Sequence, residues 1–447
     1  MAYAPHTTAD REAMLAAIGV GSIDELFADI PVAVRATAFD VPAPLTEQEV
    51  RRELTRLAGR NRIAEVSFLG AGAYRHLVPA AVMEVIGRSE FATAYTPYQP
   101  EVSQGTLQSI YEFQTLVCEL TGMEVASASH YDGATATAEA ALMACRLTHR
   151  DKVAVSSAVN PQVRLVLETY CSGPGIGVVE VDADLAERGS GLTPVDAAEA
   201  LLDEGVACLV VQQPNFFGGI EPMAALAEAA HRHGAQFVAV VEPTSLAILE
   251  APGLYGADIV AAEGQPLGIP ISFGGPYVGL MAARMESVRQ MPGRLVGATR
   301  DAAGRRGYVL TLQAREQHIR REKAASNICT NQALCALAAT AYLSAVGPEG
   351  LHEVAELSML QTRHTVAALE AAGVGIRRFD APYFAEAVVR VPDAKARHAA
   401  LAEQGIVAGF PLGDIYPELP DCLLLAATEL TTDDDVARLV EALEATA

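Results

Sequence analysis

Lysine is nearly missing from this chain of 447 residues. Among its 32 basic residues, lysine occurs at positions 152, 323 and 395 only, so the middle of the chain has none. Arginine cannot replace a reactive lysine, because its guanidinium group stays protonated. The gap therefore excludes from residues 153–322 any chemistry that needs a side-chain amine, such as Schiff-base formation with an aldehyde. A codon bias that favours arginine is the simple alternative explanation for the shortage.

Other absences exclude whole classes of protein. The apolar runs are interrupted by charge, glycine or proline well before the roughly 18 residues that a membrane-spanning helix needs. Residues 1–11 hold no apolar core of a signal peptide, which predicts a cytoplasmic protein. The net charge of −23 opposes binding to a phosphate backbone. Since basic stripes with interleaved aromatic residues are also missing, no nucleic-acid partner is expected.

Cysteine and histidine give no sign of a metal site or of a disulfide framework. The seven cysteines form no C-x-x-C pair, and most of them lie in apolar stretches, which favours buried and reduced thiols. His231 and His233 stand near the end of a predicted helix, and no nearby carboxylate or cysteine partner is expected for them. The sequence therefore predicts no metal.

The pattern that is present is an alternation of helices and short apolar strands. Helical patterns cover residues 105–120, 135–147, 161–170, 194–202 and 223–233. The predicted strands are residues 153–156, 177–181, 208–211, 236–241, 258–262 and 277–282. Strands that are separated by helices of about 10–15 residues predict right-handed crossovers and a mostly parallel sheet.

Three regions are predicted along the chain. Residues 1–60 are an N-terminal helical arm, in which Val50, Leu54 and Leu57 make an apolar stripe. Residues 61–310 are a large α/β domain, and residues 311–447 are linking helices followed by a small α+β domain. This order is typical of fold-type I enzymes, which use pyridoxal phosphate (PLP), although it suits some other α/β enzymes as well.

The C-terminal region is predicted in more detail from its pattern. Residues 311–370 are expected to be nearly all helical, with a break at Gly347-Pro348. Strands are expected at 383–391 and 422–426, and a helix at 432–445.

A glycine-rich cluster at residues 173–177 lies after a predicted helix and before a predicted strand. A dinucleotide-binding loop has the reverse order, because it follows a strand and opens a helix. The cluster is therefore interpreted as a helix-to-strand connection. An independent enzyme that uses a nicotinamide or sugar nucleotide is correspondingly disfavoured.

Two polar stretches are candidates for a binding site. The first, Tyr95–Gly105, is a dense polar and aromatic loop with two prolines, which suits the wall of a pocket; the alternative is a structural loop that caps the following helix. The second, Ser129–Ala136, opens a helix whose unpaired N–H groups and dipole favour a phosphate or a carboxylate. Its alternative is that Ser129 or Asp132 simply caps that helix.

A third stretch, Ala262–Pro276, follows the predicted strand at 258–262. A fold-type I enzyme places its Schiff-base lysine here. This chain has Gln265 and Pro266 instead. A related departure is Glu242, which stands where such an enzyme would pair an aspartate with the pyridine nitrogen of the cofactor.

Four long segments carry a family resemblance. They are YTPYQPEVSQGTLQSIYEFQTLVCELTGM (95–123), YDGATATAEA (131–140), EGQPLGIPISFGGPYVG (263–279) and AREQHIRREKAASNICTNQAL (314–334). Together they make the chain resemble the glycine decarboxylase P-proteins of the glycine cleavage system, specifically subunit 1 of the two-chain bacterial form. The segments span most of the chain and are too long to match by chance.

The resemblance implies PLP-dependent decarboxylation of glycine and transfer of the aminomethyl group to the lipoyl arm of the H-protein. It implies that the Schiff-base lysine lies on subunit 2, that the two subunits assemble as α2β2, and that the isolated chain is inactive. It implies no catalytic residue on this chain, but a wall of the partner's site. The wall residues nominated are Tyr95, Tyr98, Gln99, Glu101 and Gln104. The residues nominated for contact with cofactor are Asp132, Gly133, Ala134, Ser272, Gly274 and Gly275.

Two alternatives to this interpretation remain open. Lys323 could be a rival Schiff-base residue, but it lies some 60 residues past the expected strand in a charged stretch, which favours a solvated or ion-paired side chain. A second alternative is a non-catalytic scaffold that stabilises the partner and recruits the lipoyl carrier. Substitution of Tyr95 or Glu101 distinguishes the scaffold from an active-site wall, because a pure scaffold should tolerate both changes without loss of turnover.

Overall fold

The structure is a computed structural model that describes residues 5–36, 40–326 and 328–446. Two compact units divide after residue 62. The first unit contains α1 (Thr8–Ile18) and α2 (Glu47–Ala58), and each helix begins with a capping box. The apolar stripe of α2 (Val50, Leu54 and Leu57) is exposed.

The second unit is built around a seven-stranded sheet. Its elements up to residue 320 are, in chain order, β1 (Val66–Ser67), α3 (Ala80–Ile86), α4 (Ser89–Ala92), α5 (Gln104–Thr121), β2 (Val125–Ala126), α6 (Gly133–Thr148), β3 (Lys152–Ser156), α7 (Pro161–Ser172), β4 (Gly177–Val181), α8 (Val195–Leu201), β5 (Val206–Gln213), α9 (Met223–Arg232), β6 (Gln236–Val241), β7 (Ile259–Glu263), β8 (Gly279–Ala283), β9 (Leu295–Arg300), β10 (Arg306–Thr311) and α10 (Gln317–Arg320).

The strand order of the large sheet is β2-β8-β7-β6-β5-β3-β4. Strands β3 to β7 are parallel, whereas β8 and β2 are antiparallel. Neighbouring residues of β3 pack into different core clusters, Ala154 into one and Val153 and Val155 into the other. Successive side chains of a strand point to opposite faces, so the sheet is covered on both sides. The predicted α/β fold with a mostly parallel sheet is confirmed.

The remaining elements form a long helix and a smaller sheet. They are α11 (Ala333–Ala372), β11 (Ile376–Arg377), β12 (Glu386–Arg390), α12 (Ala394–Glu403), β13 (Ile406–Val407), β14 (Phe410–Pro411), β15 (Cys422–Ala426) and α13 (Asp433–Ala445). The small sheet has the order β11-β12-β15-β14 and is antiparallel, and β13 pairs with β1. The strands and the helix predicted for this region are present at nearly the expected positions.

The prediction of a nearly continuous helix over residues 311–370 is wrong for its first third. Between β10 and α11 the described residues form only α10 and short 3-10 turns at Gln313–Arg315 and Arg321–Lys323. This stretch is rich in charged residues and mostly not buried, and short helices without an apolar face to pack are unstable. The expected break within α11 is present, because Gly347 has φ 63° and Pro348 follows it.

In the described part of the chain, α11 alone is long and apolar enough to cross a membrane by length and composition. Its apolar residues pack into the core beside the large sheet, including Ala336, Ala339, Tyr342 and Leu343. Burial inside the protein accounts for this composition.

Candidate functional site

A cavity of about 490 Å³ lies at the edge of the large sheet where β5, β6 and β7 end. Open α/β sheets bind their ligands at this edge. The polar residues that line the cavity are acids, amides and tyrosines: Tyr74, Asp132, Asn160, Gln162, Gln212, Glu242, Glu263 and Tyr277. Neither lysine nor arginine is among the described residues that line it.

The N-terminus of α6 faces this cavity. Asp132, and not Ser129, is its N-cap, because the carboxylate of Asp132 accepts a hydrogen bond from the N–H of Thr135 at 2.7 Å. The N–H of Gly133 donates to the carboxylate of Glu263 at 2.9 Å. The nominated residues Asp132, Gly133 and Ala134 therefore do line the cavity, but this helix end is already occupied by two carboxylates of the chain itself.

Glu263, the last residue of β7, was not nominated from the sequence. Besides Gly133, its carboxylate accepts hydrogen bonds from the N–H groups of Gln265 at 2.9 Å and of Val278 at 3.3 Å. Burial raises the pKa of Glu263 to about 7, although these three N–H donors favour the charged form. An acid that directly ends a buried strand, before Gly264, is the sequence signal that could have identified it.

Gln265 stands near the position expected for a lysine and has a structural role instead. Its side chain is buried, with 1% of the residue exposed. The amide accepts a hydrogen bond from the N–H of Tyr74 at 2.8 Å, and it donates to the carbonyl groups of Tyr74 at 2.9 Å and Ile269 at 2.8 Å. Gln265 thus ties the segment that contains Tyr74 to the end of the large sheet, while Pro266 lines the cavity.

The same segment is held from the other side by Glu386 of β12. The carboxylate of Glu386 accepts hydrogen bonds from the N–H of Ala71 at 2.7 Å and from the hydroxyl of Tyr74 at 2.8 Å. Burial, together with the nearby charge of Glu242, raises the pKa of Glu386 to about 7. Residues 71–74 therefore bridge the two sheets at the cavity. Tyr74 and Glu386 were missed from the sequence because the two residues stand more than 300 positions apart in the chain.

Glu242, expected to stand in for the aspartate of a cofactor site, caps the turn that follows β6. Its carboxylate accepts hydrogen bonds from the N–H groups of Thr244 at 3.0 Å and Ser245 at 2.8 Å, and from the hydroxyl of Thr244 at 2.6 Å. The residue lines the cavity. Its acceptor capacity is largely used within its own turn.

The Tyr95 loop lies away from the cavity. Tyr95, Tyr98, Gln99, Glu101 and Gln104 are all exposed, and none of them lines the cavity at the strand ends. Tyr98 accepts a hydrogen bond from Arg294 at 3.2 Å. The amide of Gln104 anchors the loop to β10, because it donates to the carbonyl of Tyr308 at 2.9 Å and accepts from the N–H of Tyr308 at 2.9 Å.

The turn at Ser272–Gly275 is mostly exposed and lies beside the cavity, which Gly274 lines, and its backbone is unusual. Ser272, Phe273, Gly274 and Gly275 have φ values of 46°, 58°, 111° and 126°, and Phe273 is 91% exposed. A side chain in the left-handed region costs on the order of 1 kcal/mol or more. The N–H groups of Gly274 and Gly275 donate to the carbonyl of Ile271 at 3.0 and 3.3 Å, so these nominated phosphate donors are engaged within the turn. The hydroxyl of Ser272 is the donor that this turn presents.

The lysines lie outside the cavity. Lys323 belongs to an exposed 3-10 turn. Lys152 pairs with Asp203 at 2.6 Å and Lys395 with Asp414 at 2.7 Å. The structure thus places no amine at the end of β7.

His231 and the cysteines have structural surroundings. His231 does have a carboxylate partner, contrary to expectation, since its Nε2 lies 2.8 Å from Asp258, which stands 27 positions further along the chain and directly before β7. Within the described ranges, no group of three His, Cys, Asp or Glu side chains is placed to hold a metal ion. All seven cysteines are free thiols, of which Cys145, Cys171, Cys208 and Cys422 are buried.

This architecture is that of the fold-type I PLP-dependent enzymes. A sphingosine-1-phosphate lyase from Burkholderia pseudomallei has the same fold, with a TM-score of 0.66 at 15% identity over 92% of this chain and 93% of that chain. The family can be assigned more narrowly than the fold. The model of the glycine cleavage system P-protein matches residues 1–443, and the chain belongs to this family.

Two similar proteins support this family assignment. The chain is 53% identical to the probable glycine dehydrogenase (decarboxylating) subunit 1 of Moorella thermoacetica, over 99% of both chains. It also matches a crystal structure of glycine decarboxylase (P-protein) of the glycine cleavage system in an inhibitor-bound form, with a TM-score of 0.92 at 45% identity over all of both chains. The resemblance seen in the sequence motifs is thereby confirmed.

Proposed function

We propose that this chain is the subunit without a Schiff-base lysine in a two-chain glycine decarboxylase, and that a homologous subunit 2 holds PLP on its own lysine. The family and the identity to a named subunit 1 support the role in glycine cleavage. The proposed reaction removes carbon dioxide from glycine and passes the aminomethyl group to the lipoyl arm of the H-protein. PLP supplies the electron sink for the carbanion that decarboxylation leaves.

The observation that carries this proposal is the chemistry of the chain's own cavity. The described residues that line it offer no amine, and the polar lining includes the carboxylates of Asp132, Glu242 and Glu263. A phosphate ester carries a charge of about −1.5 to −2 at neutral pH, and the helix end that would receive it is already taken by Glu263. The residues present do not fit PLP, so we derive no catalytic step from this cavity.

The contribution of this chain is therefore assigned to its exposed loops. Tyr95 and Glu101 offer a phenol and a carboxylate that are not buried within their own subunit, and Ser272 offers a hydroxyl on an exposed turn. Groups of this kind can orient a zwitterion such as glycine and exclude water when a partner surface closes over them. Ser272 would hydrogen-bond the cofactor phosphate held by subunit 2. The assembly proposed is an α2β2 complex in the cytoplasm.

The test compares the purified chain with the chain plus subunit 2. We expect the chain alone to show neither decarboxylation of glycine nor exchange of its carboxyl group with bicarbonate, and we expect subunit 2 to restore both. After incubation with PLP and reduction with borohydride, the chain alone should carry no stoichiometric pyridoxyl adduct at a defined lysine. Turnover by the chain alone, or stoichiometric labelling of Lys323, would contradict the proposal.

A scaffold that only stabilises subunit 2 and recruits the lipoyl carrier is the second candidate. The observation that favours it is the anchoring of Gln104, whose amide is used to fix the loop to β10. The two candidates differ in Tyr95 and Glu101, because a scaffold needs neither side chain for turnover.

A further inference from the structure

The N-terminus of α6 already holds an anion, and that anion belongs to the chain. The carboxylate of Glu263 accepts the N–H of Gly133, the first residue of the helix, at 2.9 Å. The Asp132 carboxylate takes the N–H of Thr135 at 2.7 Å. Unpaired N–H groups and the dipole of a helix attract phosphates and carboxylates at this place. Two of the backbone N–H groups that could bind a phosphate therefore already donate to carboxylates of the chain itself.

We propose that Glu263 is a built-in substitute for a bound phosphate, and that it keeps phosphate-bearing ligands out of this cavity independently of the missing lysine. This exclusion concerns the chain's own cavity. It can be tested without subunit 2, and its outcome does not depend on the role that we assign to the chain in a complex with subunit 2.

The packing around Glu263 explains why its carboxylate reaches the helix end. A Cβ atom on Gly133 would stand 2.7 Å from the backbone nitrogen of Glu263, so only glycine lets α6 approach the end of β7 this closely. The N–H groups of Gln265 and Val278 hold the other carboxylate oxygen at 2.9 and 3.3 Å. The side chain is thus bound at both oxygens and has one preferred position.

Charge and space both act against a phosphate at this site. A phosphate would have to displace the Glu263 carboxylate from Gly133. It would then lie beside Asp132 and Glu263, with no lysine or arginine among the described residues of the cavity lining. Like charges in a partly buried site repel strongly. Truncation of Glu263 removes one of these charges and adds the vacated space to the cavity, since Gly133 and Glu263 both line it.

The experiment titrates the full chain by calorimetry at about pH 8 in buffer without phosphate. The probes are pyridoxine phosphate, which cannot form a Schiff base, pyridoxine without the phosphate, and inorganic phosphate. We expect Glu263→Ala to bind pyridoxine phosphate at least about tenfold more tightly than the unaltered chain. Inorganic phosphate should compete with it, and pyridoxine should gain nothing. Glu263→Gln keeps the volume without the charge and should show a smaller gain of the same kind.

The matched control is Glu221→Ala, which removes another buried carboxylate. Glu221 accepts hydrogen bonds from Thr193 and Asn215 and does not line the cavity. An equal gain in this control would assign the effect to general loosening and overturn the proposal. The proposal is also overturned if the unaltered chain binds as tightly as the variants, or if no folded Glu263 variant gains affinity. Should Glu263→Ala not fold, Glu263→Gln decides the question.

Discussion

The polar side chains at the cavity differ from those of the exposed loops in burial and in their hydrogen-bond partners. Glu263 lines the cavity, Gln265 and Glu386 hold the neighbouring segment that contains Tyr74, and all three have partners within the chain. In the exposed loops, Tyr95 is 81% exposed, and Phe273, next to the cavity-lining Gly274, is exposed on a turn with left-handed backbone. Buried polar groups are stable only when they are paired, whereas exposed and strained segments favour contact with something outside the chain. At the sheet edge where this fold binds ligands, the polar side chains of this chain instead hold its own segments together. We call the contacts of Gln265 and Glu386 with the segment that contains Tyr74 the structural joint.

Loss of Gln265 should break that joint. In Gln265→Ala, the N–H and carbonyl groups of Tyr74 lose their partner in a partly buried place, because the amide makes both of these hydrogen bonds. Each unsatisfied buried group costs about 1–3 kcal/mol, so we expect the free energy of unfolding to fall by about 2–5 kcal/mol. Urea unfolding, followed by circular dichroism, measures the loss.

Gln108→Ala is the matched control for this amide. Gln108 is exposed on α5 and makes a single side-chain hydrogen bond to Glu112, so its loss should cost no more than about 0.5 kcal/mol. If both variants lose equally little, water replaces Gln265 and the joint does not depend on it.

The pH dependence of stability should distinguish the buried carboxyls from the exposed ones. The folded pKa of Glu386 is raised to about 7 from the ordinary value of 4.5, mainly by burial, and the Glu242 charge adds to the rise. The folded state then binds more protons than the unfolded state between these values, so the contribution of Glu386 to stability is lost as the pH rises from about 4.5 to 7. The largest slope for one such group is about 1.4 kcal/mol per pH unit.

Glu386→Gln should flatten this slope, since the amide does not titrate. The free energy of unfolding, measured at intervals from about pH 5 to pH 8, should fall less steeply for the variant than for the unaltered chain. Glu263, whose pKa is raised in the same direction, should leave part of the slope in place. Identical slopes for variant and unaltered chain would show that Glu386 is ionised throughout this range.

The outer loop is tested on the complex with subunit 2. If Tyr95 and Glu101 wall the partner's site, Tyr95→Phe and Glu101→Gln should each lower kcat and kcat/KM by about 10- to 100-fold, or about 1.4–2.8 kcal/mol. Each change keeps the shape of the side chain and removes one hydroxyl or one charge. Steady-state kinetics gives the loss, and size-exclusion chromatography verifies that the complex still assembles.

Glu119→Gln, on the exposed side of α5 and at the end of that helix away from the loop, is the control for removal of a surface charge and should leave the kinetics unchanged. A rise in KM alone would indicate uniform binding instead of transition-state stabilisation. Unchanged kinetics in both loop variants would favour the scaffold.

Much of the fold could be predicted because its signals are local. The predicted strand 236–241 coincides with β6, and 422–426 with β15, since short apolar runs between helices mark buried strands. The predicted helix over 311–332 was wrong, because charged helical residues need an apolar face and a neighbour to pack against. The hairpin of β9 and β10 was missed; its strands are half exposed and carry little apolar periodicity.

The sequence by itself determined the fold class, the family and the lack of an amine near the end of β7. These follow from residue order and from which residue types occur, and neither changes on folding. Only the tertiary structure decided what replaces the amine and the phosphate. Gln265 meets Tyr74 across 191 positions and Glu263 meets Gly133 across 130. No local pattern records such pairs, because burial and hydrogen bonding across the sheet edge arise only when distant segments pack together.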